Sequence, residues 1–231
     1  MMKELLFVFV LILPLAAVYI WYRIVRVPLK LLWFFAALGL GVAALVIAAF
    51  VQYLFFLYIK IDNIFFLIFV RTALVEEAAR FGIFTLLFAI VKKAQKMDFL
   101  SGRFAASSGL VSALSFAALE SAWYSVESAQ SSALHLAILR LVTSVPLHAA
   151  CGSRAARAAY MCADHKNRAA PYLQNAPYSA PRLFVMAVMF HGLYNYFVVS
   201  TIWTVYLAPL LALSVFVSEA VYISKNEYNY S

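Results

Sequence analysis

Charged residues are scarce in this sequence: they make up 12% of its 231 residues, whereas an ordinary soluble domain has about 25%. Hydrophobic residues account for 66%, and the mean hydropathy is +0.90. A soluble protein of this composition would lack polar surface, so we predict a polytopic membrane protein. The two cysteines are too few for a disulfide framework and lack metal-ligand spacing. Seven glycines and seven prolines exclude a low-complexity chain.

Seven hydrophobic segments are long enough to cross a bilayer, which takes about 20 mostly apolar residues. They lie at 5–22, 31–59, 64–91, 104–126, 133–152, 183–200 and 203–223, and the only long polar segment is 153–182. We therefore predict an all-α fold with about seven transmembrane helices around a polar intramembrane cavity. A single integral membrane domain is expected over residues 1–231, with its motif-bearing core at about 64–199.

The positive charges predict the orientation of these helices. With the N-terminus outside, thirteen lysines and arginines fall in the cytoplasmic loops: Arg23, Arg26, Lys30, Lys92, Lys93, Lys96, Arg103, Arg154, Arg157, Lys166, Arg168, Arg182 and Lys225. Only Lys3 and Lys60 fall outside. This bias predicts a protein of the cell membrane with its C-terminus in the cytoplasm. Because the positive charge faces anionic lipid headgroups, no nucleic-acid partner is expected.

Six charged residues lie inside the hydrophobic segments: Arg71, Glu76, Glu77, Arg80, Glu120 and Arg140. Each would cost roughly 2.5–3.5 kcal/mol if it were ionised and unpaired near the bilayer centre. The six together would exceed the usual net stability of a protein, about 5–15 kcal/mol. They are therefore expected to face one another or a water-filled cavity.

The spacing Glu76-Glu77-x-x-Arg80 places both carboxylates within one helical turn of the guanidinium. One glutamate can stay ionised beside Arg80 while the other accepts a proton from water, as a general base does. The alternative is a buried ion pair that only fixes helix packing. One glutamate would suffice for that purpose.

Two further predicted helices carry polar side chains inside their hydrophobic segments. Glu120 lies on a helix rich in small residues, which predicts close contact with a neighbouring helix. An interhelical hydrogen bond is the alternative role for it. His191 and Asn195 share one helix face and can donate two hydrogen bonds to an oxyanion, although a histidine on an apolar helix is more often a buried core residue.

The fifth segment holds Arg140, Pro146 and His148. Pro146 is expected to kink this helix and to bring His148 inward. In straight helices Glu120 and His148 would lie at different depths, so tilt, this kink or a broken third helix must bring the polar groups together. Glu219, in the last segment, is expected at the inner membrane interface.

The set Glu76-Glu77-x-x-Arg80, Phe116-x-x-x-Glu120, Arg140 to Gly152 with His148, and His191-x-x-x-Asn195 resembles the PrsW family of intramembrane proteases, within the CAAX-protease and bacteriocin-processing superfamily. The resemblance covers about residues 64–195. Family members usually have lysine at the position of Arg80 and asparagine at that of Ser121. The resemblance implies a helical bundle that hydrolyses a peptide bond in a membrane-anchored protein, such as an anti-sigma factor at its first cleavage site.

The resemblance also implies roles for individual residues. Glu76 would activate the attacking water, with Glu77 and Arg80 tuning it, and Glu120 would position the water. His191 and Asn195 would stabilise the oxyanion, and His148 belongs to the pattern without a defined role. Zn²⁺ is a possible cofactor, with Glu76, Glu120, His148 and His191 as candidate ligands. The sequence lacks H-E-x-x-H, and we favour a mechanism without a metal.

Two other classes of function fit intramembrane charges. A transporter or proton-coupled carrier would use them as an ion path, but no inverted repeat is visible. A non-catalytic membrane scaffold would tolerate replacement of Glu76 by glutamine.

Overall fold

The computed structural model describes residues 29–93, 101–127, 130–163, 179–200 and 204–225, together with positions 16 and 19. These ranges are helical and contain no strand. The first predicted segment, 5–22, lies outside them apart from those two positions. The helices are α1 (Leu31–Tyr58), α2 (Val75–Lys93), α3 (Gly102–Glu127), α4 (Gln130–Val142), α5 (Ser144–Ala163), α6 (Ala180–Val199) and α7 (Leu207–Lys225), with a π-helical segment at Phe66–Leu74 and a 3-10 turn at Thr204–Tyr206.

Five helical stretches in the described ranges are long and apolar enough to cross a membrane. They are Leu31–Tyr58, Gly102–Ser125, Leu134–Ala163, Ala180–Val199 and Leu207–Ser224. The π-helical segment and α2 form a further continuous helix of similar length, which carries the intramembrane charges from Arg71 to Arg80. The predicted all-α, polytopic membrane fold is confirmed.

Helix α3 lies at the centre of the bundle, and 83% of its apolar stretch is buried. Its small residues allow α5 to approach closely, as the sequence predicts. A Cβ atom at Gly109 would overlap the backbone carbonyl of Gly152, and one at Gly152 would overlap Ala113. This contact fixes α3 against α5, the two helices that carry Glu120 and His148.

The fifth predicted segment, 133–152, crosses as expected but ends too early. It is broken at Thr143 into α4 and α5, and α5 continues beyond Gly152 to Ala163. Pro146 follows this break by three residues, and hydrogen bonds from Thr143 N–H to the Leu139 carbonyl and from Leu147 N–H to the Thr143 carbonyl continue the helical pattern across it. A proline has no N–H to donate to the carbonyl four positions earlier, here that of Val142, so the position of the break agrees with the expected effect of Pro146.

The arginines expected in the cytoplasmic loop after residue 152 lie instead inside α5. Arg154 and Arg157 are buried and form ion pairs of 3.2 and 3.0 Å with Glu219 of α7. The Ser153 hydroxyl donates a 2.9 Å hydrogen bond to the same carboxylate. Glu219 is therefore buried inside the bundle, and its depth near the inner membrane interface stays a prediction. The paired charges allow α5 to extend through a stretch that hydropathy alone assigns to a loop.

The orientation of the bundle stays a prediction, and cysteine labelling tests it. In a Cys162→Ser background, a cysteine at Lys166 is expected to resist an impermeant maleimide in intact cells and to react after permeabilisation. Lys60→Cys is the matched control, because the exposed Lys60 lies in a predicted outer loop and is expected to react in intact cells. The reverse labelling pattern would contradict an external N-terminus.

Candidate active site

The first turn of α2 places two carboxylates and a guanidinium side by side in the bundle interior. Glu76, Glu77 and Arg80 are at most 4% exposed. Arg80 forms an ion pair and a hydrogen bond through Nη1 with Glu77 Oε1, and its Nη2 lies 3.5 Å from Glu76 Oε2. The three groups converge as their spacing predicts. The π-helical segment ends directly before them, and such segments are frequent at functional sites.

Arg80 also reaches across to α3 and α5. Its guanidinium lies over the ring of Phe116 at 3.9 Å, and its Nη2 is 2.8 Å from His148 Nδ1. Because a guanidinium only donates hydrogen bonds, His148 Nδ1 must accept this one. The ring proton of a neutral His148 is therefore on Nε2, which lies 3.1 Å from Glu120 Oε2 and can donate to it.

Glu120 is held from the opposite side by Arg140 of α4. Arg140 Nη2 lies 2.6 Å from Glu120 Oε2, and further hydrogen bonds join Arg140 to the hydroxyls of Ser121 and Ser144. The Glu120 side chain is 15% exposed, more than those of Glu76 and Glu77. Glu120 is therefore the least buried carboxylate of the cluster.

His191 of α6 completes the cluster. Its Nδ1 lies 2.9 Å from Glu77 Oε1, and its Nε2 lies 3.8 Å from Glu76 Oε2. The rings of His191 and His148 are 4.7 Å apart. Asn195 follows one turn later and is partly exposed, and its side chain makes no hydrogen bond within the described part of the chain. Asn195 is thus beside the cluster rather than part of its hydrogen-bond network.

Five of the six intramembrane charges therefore face one another, as predicted. They are Glu76, Glu77, Arg80, Glu120 and Arg140. The sixth, Arg71, has only a contact at 5.8 Å with the ring of Phe56 among the described residues. The break at Thr143 separates the helix that carries Arg140 from the helix that carries His148, and both residues reach Glu120.

Sequence reasoning missed one residue of the cluster, Gln52 of α1. Its Nε2 donates a 3.1 Å hydrogen bond to Glu76 Oε1. Gln52 is the only side chain in α1 that carries an amide or a charge. An isolated carboxamide in an otherwise apolar membrane helix is a signal that would have identified it.

A metal site was the alternative that the sequence left open. Glu76, His148 and His191 each offer a ligand atom, and these atoms lie within 4.8 Å of one another. Glu76 Oε2 and His191 Nε2 fit this role, since neither makes a hydrogen bond with another residue in the described ranges. His148 does not fit. Arg80 Nη2 faces both His148 Nδ1 and Glu76 Oε2, so a guanidinium occupies the cationic position between two of the three groups.

Comparison with known families gives one result. A family model described as PrsW family intramembrane metalloprotease matches residues 27–221. Comparisons with curated proteins and with solved structures give no significant match. The matched range contains every residue of the buried cluster, including Gln52 of α1. Because this range covers most of the 231 residues, the chain belongs to the PrsW family of intramembrane metalloproteases, and it is a multi-pass intramembrane endopeptidase.

Proposed function

We propose that this endopeptidase hydrolyses its substrate at the buried cluster, with Glu76 as the general base that activates water. The observation that carries the proposal is the state of the Glu76 carboxylate. Its Oε1 accepts from Gln52, while its Oε2 is buried without a hydrogen-bond partner in the described part of the chain. A buried carboxylate oxygen that is free to accept is the group that a general base requires.

Glu77 is suited to a supporting role. Its Oε1 is occupied by Arg80 and by His191 Nδ1. The ion pair keeps Glu77 charged, and the hydrogen bond fixes the His191 ring so that Nε2 points toward Glu76. In its doubly protonated form His191 donates to Glu77 through Nδ1 and has Nε2–H available for a substrate oxygen.

The reaction then needs two proton transfers. Glu76 Oε2 takes a proton from water while the water oxygen bonds to the carbonyl carbon. The negative charge moves to the carbonyl oxygen, where His191 Nε2–H and the Asn195 carboxamide can donate hydrogen bonds. Glu76 next gives its proton to the amide nitrogen, and the carbon–nitrogen bond breaks to release an amine and a carboxylic acid.

Glu120 and His148 are proposed to hold the water. Glu120 Oε2 is engaged by Arg140 and His148, and its Oε1 accepts no hydrogen bond from the other described residues. The Glu120 side chain is 15% exposed, and this oxygen is proposed to accept a hydrogen bond from an incoming water. This arrangement supports the water-positioning role that the sequence predicts for Glu120.

We propose that no metal takes part, although the family is described as metalloproteases. The position of Arg80 supports this, because a divalent cation beside Glu76 and His148 would be repelled by the guanidinium that already contacts both. The substrate class follows from the family resemblance. It is a membrane-anchored protein with one span, with anti-sigma factors as first candidates.

Cleavage in the presence of chelators tests the proposal. The purified protein is reconstituted into liposomes with single-span membrane proteins, anti-sigma factors included, and the products are identified by mass spectrometry. We expect equal initial rates with and without 1,10-phenanthroline, and zinc far below one atom per chain. Loss of activity in chelator, followed by recovery on adding zinc, would show that the metal-free mechanism is wrong. Failure to cleave any of these substrates would contradict the substrate class.

A further inference from the structure

Helix α1 packs on the outside of the bundle and carries one polar group toward the site. Its buried positions are Ala37, Gly41, Ala44 and Ala48, small residues through which it contacts α3 and α2. The rest of the helix is largely unburied, since only 22% of its apolar stretch is covered by the bundle. Gln52 stands out on this helix because a carboxamide inside a membrane is costly unless it makes hydrogen bonds.

The contact of Gln52 is with one particular oxygen of Glu76. Its Nε2 lies 3.1 Å from Oε1, whereas Oε2 has no hydrogen-bond partner among the described residues. The terminal torsion of a glutamate is broad and roughly two-fold, so its packing alone does not fix the orientation of the carboxylate plane. A hydrogen bond to one oxygen removes this freedom and directs the other oxygen toward His191, 3.8 Å away.

The chemistry of the donor matters as well as its position. Arg80 lies within 3.5 Å of the same carboxylate, and a second cation would withdraw further negative charge from the base. A neutral amide orients the carboxylate through a weaker hydrogen bond. Gln52 therefore supplies orientation without reducing the ability of Glu76 to accept a proton.

We infer that Gln52 is a positioning residue of the hydrolytic site, which α1 supplies from outside the four sequence motifs. This inference rests on the proposed role of Glu76 as the base. Gln52 acts through Glu76, by holding Glu76 Oε2 in the direction from which it takes the proton.

Replacement of Gln52 by methionine tests the inference, since methionine keeps the length of the side chain and removes the donor. We expect kcat to fall about 10- to 100-fold, as for a small misplacement of a catalytic group, with KM within about two-fold of the wild-type value. Thermal stability is expected to be retained. Gln52→His, whose ring nitrogen can donate from a similar distance, is expected to recover most of kcat. If Gln52→Met folds poorly, Gln52→Leu is measured in its place.

A matched variant separates positioning from helix packing. The Ser115 hydroxyl lies 2.8 Å from the Leu38 carbonyl oxygen and joins α3 to α1 away from the site. Ser115→Ala is expected to leave kcat unchanged. An equal loss of kcat in Ser115→Ala and Gln52→Met would show that α1 packing is responsible, and unchanged kcat in Gln52→Met beside an inactive Glu76→Gln would overturn this inference alone. An active Glu76→Gln would instead overturn the proposed function.

Discussion

Replacing Glu76 with glutamine is expected to lower kcat by about 10²–10⁴-fold, the usual contribution of a general base. The carboxamide has the size of the carboxylate and can still accept from Gln52, so the packing of the cluster is retained. It cannot take a proton from water. Steady-state cleavage and thermal unfolding of the same purified sample measure the two effects separately.

Glu219 offers a matched control for this experiment. It is also a buried glutamate, and it pairs with two arginines, but its partners lie on α5 away from the cluster. Glu219→Gln is expected to lower stability, since loss of one partner from a buried ion pair costs about 3–5 kcal/mol. Its turnover per folded molecule is expected to match the wild type. If Glu76→Gln behaved like Glu219→Gln, Glu76 would have a structural role only.

Asn195→Ala is expected to have the second-largest effect, a fall in kcat of roughly 10²–10³-fold with little change in KM. Asn195 is partly exposed and makes no side-chain hydrogen bond with another described residue, so folding is expected to be little affected by its replacement. The expected fall in kcat has a simple cause: negative charge develops on the carbonyl oxygen only during the reaction. The Asn195 hydrogen bond therefore stabilises the transition state more than the bound substrate. Initial rates of cleavage, measured over a range of substrate concentrations, separate kcat from KM.

A double-mutant cycle with His191→Ala extends this test. If both residues stabilise one oxyanion, their combined loss is expected to be smaller than the product of the single losses, because residues that act as a unit are not additive. A raised KM with unchanged kcat in Asn195→Ala would mean that Asn195 binds the substrate before reaction and contributes nothing specific to the transition state.

The polar cluster could be predicted because a charged side chain inside a membrane is costly unless it pairs with another group or faces a water-filled cavity. Glu76, Glu77 and Arg80 are close in sequence, and their helical spacing alone brings them together. Glu120 comes from a distant segment, and the need to pair buried charge predicts that it faces the other intramembrane charges. His191 carries no fixed charge, and the family resemblance was needed to group it with them.

The errors have a different physical origin. Arg154 and Arg157 look like loop residues when hydropathy is averaged over neighbours, because their partner Glu219 lies more than sixty positions away in the chain. Local sequence cannot show that an ion pair across two helices neutralises them.

The close approach of Gly109 and Gly152 has a consequence for the conformational entropy of the site. Long side chains lose rotamer freedom when they are buried, whereas glycine and alanine have none to lose. At the closest approach of α3 and α5, Gly109, Ala113, Gly152 and Ala156 bring the two backbones together without loss of rotamer freedom at these four positions. Glu120 and His148 project from these same two helices. The helices that carry this pair are thus held together in part by contacts that incur no rotamer entropy loss.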